Sequence, residues 1–388
     1  MTHLDPIALA QDLIRCPSVT PADGGAISVV ERALSEMGFT CHRLPFQAPG
    51  SERVENLYAR LGSEGPNFCF AGHTDVVPVG NRAGWRHDPF GAGIENGVLY
   101  GRGASDMKSA VAAFVAASSR YLSANTPKGS ISLLITGDEE GPGINGTSAV
   151  LRWLKERGEI IDHCLVGEPT SAARTGDIIK IGRRGTMRIA MTAKGIQGHT
   201  AYPQNALNPI PILANLVARL HATPLDNGTD HFEPTTLVFT TFDVGNPATN
   251  VSPGEASAAC NIRFNDSHTS DELLAHVARM AKTVMDDMGG EITLDHNVSG
   301  EAFLTAPGAY TELLRAAVQK ITGLEAQYST GGGTSDARFI KDYCPVAELG
   351  LPGTTMHKTD ECMPIAEIET LTKIYTEILT AYFAAPPA

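Results

Sequence analysis

No apolar run in this chain approaches the length of a membrane span. Its seven cysteines form no Cys-x-x-Cys pair. Odd in number and scattered, they fit a reducing cytosol better than a disulfide framework. Positive charge is scarce: 30 Lys and Arg stand against 43 Asp and Glu, a formal charge of −13. That balance argues against nucleic acid and anionic membranes as partners. The triplet Gly331-Gly-Gly333 lacks a following Gly-Lys-Ser/Thr and is no phosphate loop. The start, Met-Thr-His-Leu-Asp5-Pro6-Ile, does not have the pattern of a secretion signal. Asp5 as N-cap and Pro6 at the first helical position predict an amphipathic helix there instead. Asn145-Gly-Thr and Asn227-Gly-Thr match the glycosylation pattern, but without a secretion signal they read as turns. The terminal Ala-Ala-Pro-Pro-Ala reads as frayed. A cytoplasmic protein is expected.

Histidines and acids recur where short apolar runs stop. Asn67-Phe-Cys-Phe-Ala-Gly-His73-Thr-Asp75 is one such run. Leu-Leu-Ile-Thr-Gly-Asp-Glu139-Glu140-Gly and Leu-Val-Gly-Glu168-Pro are two more. Gly-Arg-Gly-Ala-Ser-Asp106-Met-Lys precedes a predicted helix, 107–122, and Thr-Thr-Met-His357-Lys follows a strand-like run through a loop. Glycine-bounded apolar runs suit strands buried on both faces. In an open α/β sheet, ligand sites lie beyond the carboxyl ends of the strands, so these segments can converge.

Imidazoles mixed with carboxylates suit Zn²⁺ and its neighbours rather than Mg²⁺ or Ca²⁺. Asp106, Glu140, Glu168 and a bridging hydroxide would balance the charge of two zinc ions. In an extended chain, residues i and i+2 point the same way. Asp75 can therefore accept the second N–H of His73 and orient its ring. Glu139 and Glu140 are adjacent, so one can ligate while the other serves as general base. Each piece alone has an ordinary reading: a satisfied histidine, a solvated Glu-Glu turn, a Glu-Pro loop. Their joint occurrence points to a co-catalytic metal hydrolase.

A chain of 388 residues suggests two domains. The first half alternates strand and helix patterns. Near Arg183 the rhythm becomes strand 186–193, helix 208–221, strands 237–243 and 256–264, helix 271–288 and strand 292–298. That βαββαβ order is a split βαβ arrangement. A helix at 308–322 and the run to His357 then resume the α/β pattern. The predicted fold is an α/β catalytic domain at 1–182 and 299–388, with a mixed, mostly parallel sheet flanked by helices. A two-layer α+β domain is inserted at 183–298. Cys69 and Cys260, in strand-like runs, are expected to be inert core residues.

These residues resemble a known family. His73-Thr-Asp75, Tyr100-Gly-Arg-Gly-Ala-Ser-Asp106-Met-Lys108, Asp138-Glu139-Glu140 and Gly167-Glu168-Pro169 are similar, in order, to the signatures of the di-zinc aminoacylase/carboxypeptidase (M20) metallopeptidases. A narrower likeness lies in Ile179-Lys-Ile-Gly-Arg183-Arg184-Gly, Gly195-Ile-Gln-Gly-His199-Thr-Ala-Tyr202-Pro, Thr330-Gly-Gly-Gly-Thr334-Ser335-Asp336-Ala-Arg338-Phe and His357-Lys-Thr-Asp-Glu361. It implies hydrolysis of N-succinyl-L,L-2,6-diaminopimelate to succinate and L,L-2,6-diaminopimelate, a step of bacterial lysine synthesis. An acetyl-ornithine deacylase of the same family is the alternative. A non-catalytic metal-binding protein on this scaffold would have no reason to keep Glu139 beside intact ligands.

The resemblance implies specific roles. His73 and Glu168 would hold one zinc ion, Glu140 and His357 the other, with Asp106 bridging; Co²⁺ can replace zinc at one site. Asp75 and Glu139 would be the catalytic acids, and a cis peptide at Asp106–Met107 would aim the bridging carboxylate. The inserted domain would form a homodimer and partly cover the site, and His199 would reach the other subunit's site as oxyanion donor. A diacid substrate calls for cations, and Arg183, Arg184, Arg263 and Arg338 are candidates because guanidinium grips carboxylates in bidentate fashion. The amides of Gly331 to Thr334 can form an anion nest. The substrate-binding set implied is Arg183, Thr186, Tyr202, Asn250, Arg263, Gly333 and Thr334. Relatives often carry asparagine, a substrate contact, where Gly353 stands here.

Overall fold

The computed structural model describes residues 3–387; Met1, Thr2 and Ala388, part of the two termini read above, lie outside the described residues. The chain divides into two compact units. One comprises Met1–Ile181, Thr305–Ser329 and Ser335–Ala388; the other comprises Gly182–Leu304 and Thr330–Thr334.

The first unit is built on eight strands: β1 (Thr40–Arg43), β2 (Leu57–Leu61), β3 (Asn67–His73), β4 (Ser130–Thr136), β5 (His163–Val166), β6 (Ile178–Lys180), β7 (Gln327–Ser329) and β8 (Val346–Glu348). They lie in the order β1-β2-β4-β3-β5-β8-β6-β7. β4, β3, β5 and β8 run parallel in the centre; β2 is antiparallel to both β1 and β4, and β6 is antiparallel to β8 and parallel to β7. β3, β4, β5 and β8 are buried along their whole length, as continuous apolar runs in a covered sheet should be.

Helices α1 (Pro6–Ile14), α2 (Ala26–Glu36), α3 (Lys108–Ala124), α4 (Thr147–Glu156), α5 (Ala309–Thr322) and α6 (Ile365–Ala384) flank it. The opening of α1 follows the sequence reading: Asp5 accepts the N–H of Ile7, and Pro6 occupies the first turn. Phe68 and Phe70, two apart on β3, both stack on Phe114 of α3, and Tyr375 of α6 meets Phe70 and Phe114 edge-on. Burying such a ring contributes about 1.5–3 kcal/mol. This aromatic layer sits under the strand that ends in His73.

In the second unit the strands Gly185–Lys194, Thr236–Asp243, Glu255–Phe264 and Glu291–Gly300 form an antiparallel sheet. The last strand lies beside the first, as the βαββαβ order requires. Alternate residues Met187, Ile189 and Met191 share one core with Ile212 and Leu216 of helix Pro209–Ala222 and Val277 and Val284 of helix Ser270–Met288. Thr269 and Glu272 close a capping box on the latter helix. Its limits run wider than 183–298. Phe303–Leu304 pairs with Gly182–Arg183, and the Thr330 hydroxyl donates to the His231 carbonyl at 2.6 Å. Residues 299–304 and 330–334 therefore go with this unit, where the sequence pattern had placed them in the other.

All seven cysteines are free thiols, and Cys69 and Cys260 are buried. Burial pushes the Cys260 thiol up to about 11, so it stays protonated and inert. No helix among the described residues is long and apolar enough to cross a membrane.

Candidate metal centre

The parallel strands β4, β3, β5 and β8 deliver their carboxyl ends to one side of the first unit. His73 is the last residue of β3, Glu139 and Glu140 follow β4, and Glu168 follows β5. His357 stands in the loop after β8, and Asp106 just before α3. Met107, fully buried, pins Asp106 from behind. Its methyl group would be 2.5 Å from a Cβ on Gly72 and 2.7 Å from one on Gly167, so it fills the space these two glycines leave. The Asp106–Met107 peptide is cis.

Asp106 reaches both histidines. Its Oδ1 lies 3.1 Å from Nε2 of His73, and its Oδ2 lies 3.3 Å from Nε2 of His357. Glu168 Oε1 is 3.8 Å from the first ring, and Glu140 Oε1 is 2.8 Å from the second. Ligand atoms of His73, Asp106 and Glu140 lie within 4.8 Å of one another, as do those of His73, Glu139 and Glu168. All five sequence-predicted donors and Glu139 therefore converge.

Asp75 differs in detail from the sequence expectation. Nδ1 of His73 is nearer the backbone carbonyl of Asp75, at 3.0 Å, than its carboxylate, at 3.6 Å. The carboxylate instead accepts the backbone N–H of Glu139 at 3.3 Å and of Glu140 at 3.0 Å. Asp75 thus ties the His73 loop to the turn carrying both glutamates.

The electrostatics are those of crowded negative charge. Burial pushes Glu139 up to about 8; His73 opposes this, while Asp336, Glu140 and Asp106 add to it. Burial, then Glu139 and Asp106, hold Glu168 well above the usual carboxylate range. Burial alone would lower His73, but its hydrogen bond to Asp106 and the charges of Glu168, Asp106 and Glu139 raise it well above normal. Hydrogen bonds to Asp106 and Glu140 lift His357 to about 10. Four carboxylates face two imidazoles, and Glu168 Oε1 is buried with no hydrogen-bond partner. An orphaned buried carboxylate oxygen is costly unless a cation meets it. Mixed imidazole and carboxylate donors with Asp106 spanning two histidines fit a pair of first-row metal ions.

The remaining predicted residues fall into separate groups. In the second unit, His199, Tyr202 and Asn250 lie together. Gly198–His199 pairs with Val251–Ser252, the Tyr202 ring stands 5.8 Å from the imidazole, and the Asn250 carbonyl accepts from Thr200. Nδ1 of His199 accepts the N–H of Ala201 at 3.0 Å. With Nδ1 as acceptor, a neutral ring carries its proton on Nε2. Thr186 pairs with Arg263, whose guanidinium is held by Asn261. Burial and the nearby Arg184 lower the Arg263 pKa. Arg183 Nη1 donates to the Gly333 carbonyl at 2.8 Å, beside Thr334. Arg338 belongs to the first unit, over the Phe339 ring and 3.8 Å from Asp336. Among the buried acids that received no role from sequence are Asp336, 3.8 Å from Arg338, and Glu361. Their one signal is that each closes or nears the end of a motif run.

The sequence matches peptidase family M20/M25/M40 over residues 69–381. It is 59% identical to the succinyl-diaminopimelate desuccinylase of Rhodospirillum centenum over 381 residues, 98% of each chain. The protein of that name from Parvibaculum lavamentivorans is 56% identical, covering 98% of this chain and 96% of the relative. Among solved structures, the Bacillus cereus aminopeptidase PepT superposes with a TM-score of 0.78 at 21% identity, over 97% of both chains. The Bacillus subtilis YXEP protein, named as a dinuclear metal binding peptidase, superposes with a TM-score of 0.72 at 14% identity over 98% of both. At such identities the structures speak for the fold, an α/β unit with an inserted second unit. The family is metal-dependent, and the donor cluster is this chain's candidate metal site. The chain belongs to peptidase family M20/M25/M40.

Proposed function

We propose that the chain is a metal-dependent amidohydrolase that converts N-succinyl-L,L-2,6-diaminopimelate and water to succinate and L,L-2,6-diaminopimelate in bacterial lysine and diaminopimelate synthesis. The near-full-length likeness to relatives of that name supports the substrate. The observation that carries the chemistry is Asp106, with one carboxylate oxygen toward each histidine and the acids that follow β4 and β5 gathered about the same histidines.

His73, Glu168 and Asp106 would hold one ion, and Asp106, Glu140 and His357 the other, with zinc in both or cobalt in one. When bound, the ions supply a Lewis acid for the amide carbonyl and lower the pKa of a water to about 7. Glu139 takes a proton from the attacking water and passes it to the leaving amine nitrogen. The carbon–nitrogen bond breaks, the acyl carbon keeps the water oxygen, and succinate departs with the diamino acid as free amine. Asp75 holds the Glu139–Glu140 turn through two backbone N–H groups. His199, with its proton on Nε2, meets the developing oxyanion from the partner subunit of a homodimer. The second unit acts as the dimerisation and lid domain. Arg183, Thr186, Tyr202, Asn250, Arg263, Gly333 and Thr334 bind the substrate's carboxylates and polar groups. The substrate is a small cytoplasmic metabolite, and free thiols suit that compartment.

Turnover of N-succinyl-L,L-2,6-diaminopimelate, with metal content measured on the same sample, is the test. A preference for N-acetyl-ornithine overturns the substrate. No amide hydrolysis with both metal sites filled overturns the enzyme.

A further inference from the structure

The structure assigns Arg102 and Glu361 a positioning role: this buried ion pair fixes the three loops that carry His73, Asp106 and His357, an inference that rests on the metal reading above. Arg102 is 3% exposed and Glu361 fully buried. Arg102 Nη1 donates to Glu361 Oε2 at 2.8 Å. Each partner also bonds backbone groups. Glu361 Oε1 accepts the N–H of Ser105 at 2.8 Å and of Asp106 itself at 3.1 Å. Nη1 also reaches the Lys358 carbonyl at 3.3 Å, the residue next to His357, and Nη2 reaches the Pro78 carbonyl at 3.4 Å, on the loop leading from His73 and Asp75. The guanidinium lies 5.2 Å from the centre of the Trp85 ring.

The pair touches no donor atom, yet it meets every one of these three segments. A buried charge pair is a weak source of stability, since desolvation offsets attraction. Its geometry here is that of a clamp. A guanidinium offers five donors in a rigid fork, which a flexible ammonium cannot reproduce. His357 has particular need of it. The residue sits at φ 60, the left-handed region that histidine adopts at a cost. Left to itself, its backbone would relax and carry the imidazole away from Asp106 and Glu140. The Lys358 carbonyl held by Arg102, and the Thr355 hydroxyl donating to the Cys362 carbonyl at 2.8 Å, oppose that relaxation. Asp106 is held on one side by Met107 against Gly72 and Gly167, and on the other by Glu361.

Two conservative variants probe the clamp. Glu361→Gln keeps the shape and an oxygen for the Ser105 and Asp106 amides, but turns an NH₂ toward Arg102. Arg102→Lys keeps the charge and loses the fork. Each is compared with the wild type by competition of the zinc-loaded protein against a chromophoric chelator, and by the visible absorption spectrum of the cobalt-loaded form. Both are expected to bind zinc about 10–100-fold more weakly, the scale seen when supports of metal ligands are removed, and to show altered cobalt spectra. Val318→Ala, in the buried face of α5, is the control: it lowers the melting temperature but leaves zinc affinity and the cobalt spectrum unchanged. Should Glu361→Gln fail to fold, Arg102→Lys carries the same comparison. Zinc affinity equal to wild type in the variants overturns the inference, as does a loss in Val318→Ala that matches theirs. Failure of the wild type itself to bind zinc would instead bring down the metal reading and this inference with it.

Discussion

Glu139 and Glu140 are neighbours with different assignments, and glutamine at each position separates them. Both backbone N–H groups are held by Asp75, and glutamine disturbs neither bond. The side chains part company. Glu140 Oε1 stands 2.8 Å from His357, whereas Glu139 falls with His73 and Glu168. That second grouping makes the test sharp, because Glu139 lies close enough to serve as a donor itself. If it is the base, Glu139→Gln removes proton transfer alone. Positioned acid–base groups contribute about 10²–10⁴ in rate, which is roughly 3–5.5 kcal/mol of barrier at 1.36 kcal/mol per decade. The variant should keep two metal ions and lose kcat by that factor. Glu140→Gln replaces a donor carboxylate by a neutral amide and should lose one ion on gel filtration, with activity returning in part at high zinc. Atomic spectroscopy of both variants beside their kcat decides. Equal metal loss in the two, or full activity in Glu139→Gln, refutes the assignment.

His199→Ala should cut kcat by roughly 10²–10³ without changing metal content, as loss of an oxyanion donor does. Mixed dimers of His199→Ala with Glu139→Gln should recover activity if the histidine acts in trans; no recovery after verified subunit exchange refutes that. Chelation of the metal should abolish turnover and lower the melting temperature reversibly, since a ligand at about 100 times its Kd stabilises by about 2.7 kcal/mol; an unchanged melting curve would count against a metal held by these acids. Asp226 supplies a pH test in the second unit. Burial would raise its pKa, but hydrogen bonds from Thr235, Gly228 and Asn265 hold it down at about 2. Its contribution is therefore complete above the unfolded value of about 3.9 and disappears as pH falls through about 2. Asp226→Asn should destabilise by on the order of 1 kcal/mol at pH 7 and converge with the wild type near pH 2; a difference in melting temperature that does not change with pH refutes it.

Much of the architecture was legible in the sequence because it is encoded locally. Glycine-bounded apolar runs marked β3, β4 and β5, and the residues just beyond them proved to be the converging acids and histidine. In the second unit, period-two and helical patterns placed four strands and two helices within a residue or two of their limits. Asp5, read from the sequence as a cap, accepts a backbone N–H in the first turn of its helix, as Asn208 and Thr269 do in theirs. The failures are of another kind. Residues 330–334 join the second unit through a hydroxyl bond spanning 99 positions. The Glu361 bond to Ser105 spans 256. No spacing rule reaches across such distances, because the partners meet only after the sheet has formed.

Asp75 shows where a local rule stops being sufficient. The alternation of an extended chain put its side chain on the same side as His73, and the two do approach, at 3.6 Å. But a carboxylate goes where donors satisfy it, and two backbone N–H groups from the loop after β4 outcompete a single ring nitrogen. Burial pushes Asp75 up to about 6, while His73 and those two amides pull it down. The loop after β3 and the loop after β4 are thereby made one object. His73 is fixed by the first, Glu139 and Glu140 by the second, and a shift in either strand end would be felt at all three. That coupling requires β3 and β4 to be parallel neighbours, with His73 opposite Thr136. The catalytic geometry proposed for this site is in that sense a consequence of sheet register, which places an acid from one strand end within reach of the amides of the next.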